Sequence, residues 1–284
     1  MKKCIYIAVI LLLAVSCWQR QDDALQESIE LGHSLLEQRR YSEAMEAYSE
    51  AETKALKADD QYSLGIIYQH IAHTYNATGG HSEEIAYLDR AIQAYEKAGK
   101  PYNSLHVYFE SGVARHNFQD YASAEKIFRN TMFQAHQAAD TLLEAACLEA
   151  YAALCLESSR QDPSLAISML ARKANELRCP LTCEDRGMLA YAYSLTGDHE
   201  SAEEWIEKAL ASAETPAEKA QVKFREYQVA SRAGRSADAL EALEAVMEHS
   251  NSMEAASLKR SVESARKEYQ AHQFELAQQR LRST

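Results

Sequence analysis

Imidazole and thiol pairs are the side chains in this 284-residue sequence whose spacing could do chemistry. His70 and His73 are three apart, which places both rings on one face of a helix and could let them share a metal ion. Neither has a cysteine or a second histidine pair nearby in sequence, so no metal site is expected and both read as groove or surface histidines. Cys179 and Cys183 bracket Pro180-Leu181-Thr182, where a loop is predicted, and in an oxidising compartment they could close a small disulfide. Cys147 and Cys155 are eight apart on a predicted helix, about 12 Å at about 1.5 Å per residue, too far to bridge. They are expected to pack as buried free thiols. The 42 carboxylates fall mainly where helix surfaces would be solvated. The sequence has no glycine-rich phosphate loop, no Gly-x-Ser-x-Gly elbow and no His-Glu-x-x-His helix. No catalytic residue or cofactor is nominated, and the chain is not expected to be an enzyme.

The elements that must carry these residues are helices. Only 9 glycines and 4 prolines interrupt a chain that is 46% hydrophobic and 25% charged, so few points can break a helix. Lys2 and Lys3 followed by the apolar run Cys4 to Val15 read as an export signal, too short to cross a bilayer that needs about 20 apolar residues. Leu13-Ala14-Val15-Ser16-Cys17 looks like a lipobox with Ala14 in place of the usual leucine. Cleavage there would leave Cys17 for lipidation. The same residues also satisfy an ordinary secretory cleavage, and an uncleaved anchor is a third option. Removing residues 1–16 removes two lysines, so the mature charge becomes 28 − 42 = −14. That balance argues against nucleic acid, which is bound by neutralising phosphates with Lys and Arg.

Alignment on turns shows a repeat. Tyr75 precedes Gly79, and Tyr193 precedes Gly197 at the same spacing. Each second helix then carries three positions spaced four and three apart: Ala44, Tyr48, Ala51; Glu84, Leu88, Ala91; Ala124, Phe128, Thr131. The series continues with Ala166, Leu170, Lys173; Ala202, Ile206, Ala209; Ala239, Leu243, Val246. Such spacing puts each triplet on one face. First helices carry a small residue at the predicted crossing, Gly32, Ala72, Gly112, Ala152 and Ala190, with Tyr227 the exception. Pro101, Pro163, Pro180 and Pro216 all fall outside predicted helix interiors, where each would cost about 3 kcal/mol.

This pattern resembles the tetratricopeptide repeat. Leu189-Ala190-x-x-Tyr193, Gly197, His199, Ala202, Ile206, Ala209-Leu210 and Pro216 carry the likeness best, followed by Leu31-Gly32, Tyr41, Ala44, Tyr48 and Ala51. The resemblance implies an all-α, right-handed superhelical solenoid of about six hairpins. Their expected spans are about 25–60, 64–99, 102–139, 141–177, 183–214 and 217–249. The organisation expected is a signal peptide over 1–16, a tether over 17–24, the array over 25–250, and a capping and linker helix over 251–284.

First helices of such a stack line a concave groove. Residues pointing away from the crossings nominate His73, Asn76, His106, Phe109, His116, Asn117, Tyr191, Phe224 and Arg232 as partner-binding, with His33, Gln69, Glu149, Ser194 and Gln228 beside them. Amides and imidazoles among aromatics suit an extended peptide. A carboxylate clamp is not expected, because Ile29, His33, Gln69 and His73 fill the positions where it needs Lys and Asn. The function expected is a non-enzymatic scaffold or adaptor of the bacterial cell envelope, binding a protein or peptide, anchored through lipid on Cys17 and facing the periplasm or outer surface. The alternative is a periplasmic ectodomain of a membrane signalling system with the C-terminal helix as relay.

Overall fold

The computed structural model describes residues 23–157 and 161–248. Every element among them is a helix: α1 (23–37), α2 (Tyr41–Ala58), α3 (Gln61–Thr78), α4 (His81–Lys97), α5 (Pro101–Asn117) and α6 (Tyr121–Gln137). They are followed by α7 (Thr141–Glu157), α8 (Pro163–Asn175), α9 (Cys183–Thr196), α10 (His199–Ser212), α11 (Pro216–Arg232) and α12 (Ser236–Glu248). The export signal, Cys17 and the helix expected over 251–284 lie outside the described residues. Among the described residues no helix is long and apolar enough to cross a membrane.

Local chemistry fixes the helix ends. Pro101, Pro163 and Pro216 are the first residues of α5, α8 and α11, where the missing N–H has no helical partner to lose. Pro180 lies between α8 and α9. Asp60, Asp162 and Asp198 cap α3, α8 and α10 by accepting from backbone N–H groups. Thr182 and Thr215 form reciprocal capping boxes with Asp185 and Glu218, satisfying two orphan donors each. Most turns end in a residue of left-handed conformation, Gly79, Gly99, Gly197 and Gly234 among them, with Arg39, Asp59, Gln119 and Ala139 adopting it without being glycine.

The helices pair as α1/α2, α3/α4, α7/α8, α9/α10 and α11/α12. All eighteen positions of the second-helix triplets are buried, Glu84 and Lys173 included. Gly32, Ala72, Gly112, Ala152 and Ala190 are buried too, whereas Tyr227 is half-buried. The need for a small residue is explicit at Gly32, where an added Cβ would stand 2.4 Å from Tyr48 Cε1. Gly65 lies likewise under the Tyr95 ring, 2.7 Å from such a Cβ.

The described residues divide into two compact units, one ending at Ile127 and the other beginning at Phe128. In the first, α3 packs on α2 and α4, and α4 on α5, around Tyr48, Ile67, Ile71, Leu88 and Val107. In the second, α9 packs on α7, α8, α10 and α11, and α11 on α12, around Leu148, Leu156, Leu170, Met188 and Val222. Each such side chain contributes about 1.5–3 kcal/mol when fully buried. A hairpin covers one face by itself and needs its neighbour for the other, so stability in such folds is shared between adjacent repeats.

Candidate interaction face

The face begins with residue spacing on α3 and α5. Tyr62, Ile66, Gln69, His73 and Asn76 follow one another at intervals of four, three, four and three, and so share one side of α3. Tyr102, His106, Phe109 and His116, at intervals of four, three and seven, likewise share one side of α5. Tyr62 and Tyr102 are 40% and 58% exposed. Tyr102 and His106 meet edge to face at 4.7 Å. Glu110 ties the two helices together: it accepts from Gln69 Nε2 at 2.7 Å and stands 3.0 Å from His73 Nε2.

The imidazoles differ sharply. His73, 45% exposed, has its pKa raised by the hydrogen bond to Glu110, against burial. His70 lies parallel to the Tyr48 ring at 5.5 Å and edge-on to His33 and His73 at 5.2 and 6.0 Å. Burial, and then the neighbouring imidazoles His73 and His33, push its pKa down to about 4. His70 is therefore a neutral packing ring, and His73 is the one that faces outward. Among the described residues no group of three or more His, Cys, Asp or Glu is arranged to hold a metal ion.

The nominated residues are distributed unevenly. His73, His106 and Phe109 share the α3–α5 stripe. Asn76 lies on it too, but its amide donates to the buried Glu84 carboxylate at 2.6 Å, a support the second helix needs because Glu84 occupies a position usually filled by alanine. His116 stands 5.8 Å from the Tyr121 ring, and Asn117 is half-buried.

In the second unit Tyr191 lies under the Arg225 guanidinium at 6.0 Å and its hydroxyl accepts from Gln161. Phe224 is buried, stacked on Tyr227 at 5.9 Å, so it serves the core and offers a partner no surface. Ser194 is buried as well, its hydroxyl turned to the Tyr191 carbonyl. Arg232 is exposed. Cys179 and Cys183 are free thiols, as are buried Cys147 and Cys155; burial pushes the Cys147 thiol up to about 12, far from thiolate chemistry.

Three residues of the face escaped the sequence reading. Tyr62 and Tyr102 each stand second in their helix, 40 positions apart, so the repeat period alone could have found them. Glu110 had a subtler signal as the one carboxylate of α5.

Comparison with known proteins follows the same lines. Residues 186–216 match the tetratricopeptide repeat family, and no curated protein matches the chain. The structure is similar to a chain of the APC/C hetero-tetramer Cut9–Hcn1 at 17% identity and a TM-score of 0.54, covering 88% of this chain and 45% of that one. This chain thus spans about half the length of that neighbour. It is also similar to pilF of Pseudomonas aeruginosa, at 10% identity and a TM-score of 0.56, over 86% of this chain and 99% of that one. Among the described residues the fold is an all-α repeat of helical hairpins, like that of these neighbours, and residues 186–216 carry a tetratricopeptide repeat.

Proposed function

We propose that the chain is an interaction scaffold or adaptor of the bacterial cell envelope, exported, tethered through lipid on Cys17, and binding a protein or peptide on the exposed side of its first helices. The observation that carries the binding reading is the α3–α5 stripe. Two exposed tyrosines and an outward imidazole sit there on helices held in register by Glu110. Rigid aromatics with a polar tip provide contact area at small entropic cost. The Cut9–Hcn1 neighbour belongs to a hetero-tetramer, which supports partner binding for a fold of this kind. The N-terminal sequence supports export and the tether.

Affinity capture from detergent-solubilised envelope, with Tyr102→Ala as the matched control, tests the binding. Specific partners retained by the wild type and lost by the variant are expected. Equal recovery by both, or none by either, would remove the reading. Intact mass of the native protein tests the tether, which predicts loss of residues 1–16 and an acyl increment on Cys17.

A further inference from the structure

The second unit holds a cleft between α10 and α11. Glu203, Ile206, Glu207 and Leu210, which share one side of α10, line it together with Glu226 and Val229 of α11. Arg235 joins them from the turn before α12. The volume is about 210 Å³. A cavity of about 150 Å³ holds benzene, so this space suits a chain of roughly seven or eight non-hydrogen atoms. Ile206 and Val229 are buried and Leu210 is half-buried, whereas Glu203 and Glu207 are exposed. The apolar side chains therefore lie deepest and these two carboxylates lie at the rim. The charges around the cleft do not balance. Arg235 is shared between Glu203 at 3.2 Å and Asp238 at 3.3 Å. Lys223 Nζ stands 2.6 Å from Glu226 Oε2, yet that buried oxygen accepts no hydrogen bond. Glu207 has neither a hydrogen bond nor an ion pair among the described residues.

We infer that this cleft binds a primary ammonium carried on an unbranched alkyl stem, with Ile206, Leu210 and Val229 covering the stem and Glu207 as the principal acceptor of the ammonium. The inference does not depend on the α3–α5 stripe, and either can fail without the other. A wholly apolar ligand would press hydrocarbon against Glu207 and Glu226 and strip them of water. An anion would meet three carboxylates against one guanidinium. A bare ammonium ion would leave the apolar floor wet. A cation at the end of a methylene chain satisfies both halves of the cleft, as long basic side chains do on protein surfaces. Arg235 already holds one carboxylate of the cleft and so competes with such a ligand. A free linear amine and a lysine side chain of another protein share this chemistry.

Methyl NMR of the full chain, labelled at Ile, Leu and Val, tests this as butylammonium is added. The methyls of Ile206, Leu210 and Val229 are expected to shift together and to saturate in the millimolar range. Ethylammonium should bind about tenfold more weakly, because each buried methylene is worth roughly fourfold. Butan-1-ol, equal in length but uncharged, should bind about threefold more weakly. Glu207→Gln should weaken butylammonium by about threefold, and Arg235→Gln, which removes the competing cation, should tighten it by about twofold. Glu200→Gln, an exposed change on α10 outside the cleft, should leave it unaltered. Pentane-1,5-diamine and acetyl-lysine methylamide separate the two sources. Tighter binding of the diamine supports a free amine as occupant, and tighter binding of the lysine derivative supports a side chain of another protein. Butan-1-ol binding as tightly as butylammonium would make the cleft a plain apolar hollow and overturn the inference. So would unmoved methyls through the same range, or a Glu200→Gln effect equal to that of Glu207→Gln, which would reduce the binding to the general charge of the chain.

Discussion

In the first unit a tyrosine ring rests on bare glycine backbone, Tyr48 on Gly32 and Tyr95 on Gly65. In the second unit an ammonium sits where the repeat usually holds a small residue: Lys173 is buried, bonded to Glu149 at 2.5 Å and to Asp185 at 2.6 Å. One scaffold therefore tolerates two ways of filling the layer between helices. Ring-on-glycine packing is dry and depends on shape. The ionic layer depends on every charge being met, because a buried ion left alone costs several kcal/mol. Glu144 repeats the ionic solution, buried between Arg172 and His136. Arg225 is buried over Gly187 and reaches Gln228 and, at 3.6 Å, Glu157.

The comparison breaks most visibly at Asp185. Its Oδ2 accepts from both Lys173 and the Thr182 backbone N–H, so it joins α8 to the cap of α9. Burial opposes the Lys173 charge, but bonds to Asp185 and Glu149 outweigh it and hold the ammonium above its ordinary range. Asp185→Ala should cost about 3–5 kcal/mol, the range for orphaning a buried partner. The double change Lys173→Met with Asp185→Asn should cost less, since no unpaired charge remains at the buried positions and Glu149, 34% exposed, keeps access to water. Urea unfolding followed by Trp205, on α10 of this unit, reads both once Trp18 is replaced by Phe. A double variant as unstable as the single would show that shape and not charge governs this layer.

Acid should separate the units next. The folded pKa of His70 is lowered to about 4 from 6.5. Its contribution to stability is complete above about 6.5 and is lost as pH falls from there to about 4, on the order of 2–3 kcal/mol. His73 has the opposite sign: with its folded pKa raised, its contribution is complete below 6.5 and is lost as pH rises through the raised value. Stability of the first unit should therefore peak near pH 6.5. Hydrogen exchange of the α3 amides across this range checks the shape, and His70→Phe should flatten the acid side. An acid limb unchanged in that variant would assign the loss to other groups.

Crowding at Gly32 gives the third contrast. Valine there must displace the Tyr48 ring, for about 2 kcal/mol of destabilisation. A Gly187→Ala change in the second unit meets only the flexible Arg225 stem, Cγ at 3.0 Å and Cβ at 3.4 Å, and should be near neutral. Denaturation midpoints of both variants make the test; equal losses would mean the rings in the first unit are no stiffer than the arginine.

How much of this was legible in the sequence follows from what periodicity can encode. Triplets such as Ala202, Ile206 and Ala209 announce a buried face because small–large–small at four and three fits one packing geometry, and that geometry holds here. Lys173 and Glu84 were recognised as members of their triplets, yet their burial depends on Asp185, Glu149 and Asn76, partners set by how one hairpin meets the next. Nothing local encodes that. Phe224 misled for a related reason: with Tyr227 at the crossing in place of a small residue, the aromatic three positions earlier turns inward and stacks on it. The tyrosines at 62 and 102 share the repeat period but stand at the helix starts, about ten residues from the crossing positions Ala72 and Gly112, so the pattern centred on the crossings does not mark them.

The smallest effect lies in the turns that close the second helices. After α4 the left-handed position is Gly99 (φ 67°), and after α6 it is Ala139 (φ 56°). An L side chain held in that region costs roughly 1–2 kcal/mol, and glycine pays back part of the difference through its freer unfolded chain. An added Cβ at Gly99 meets nothing within 4 Å, so Gly99→Ala isolates the backbone effect and should destabilise by about 1 kcal/mol. Ala139→Gly is the mirror experiment and should stabilise by up to about 1 kcal/mol, visible as a rise in the urea midpoint of the second unit. If Gly99→Ala is neutral while Ala139→Gly is destabilising, side-chain contacts and not backbone strain decide these turns.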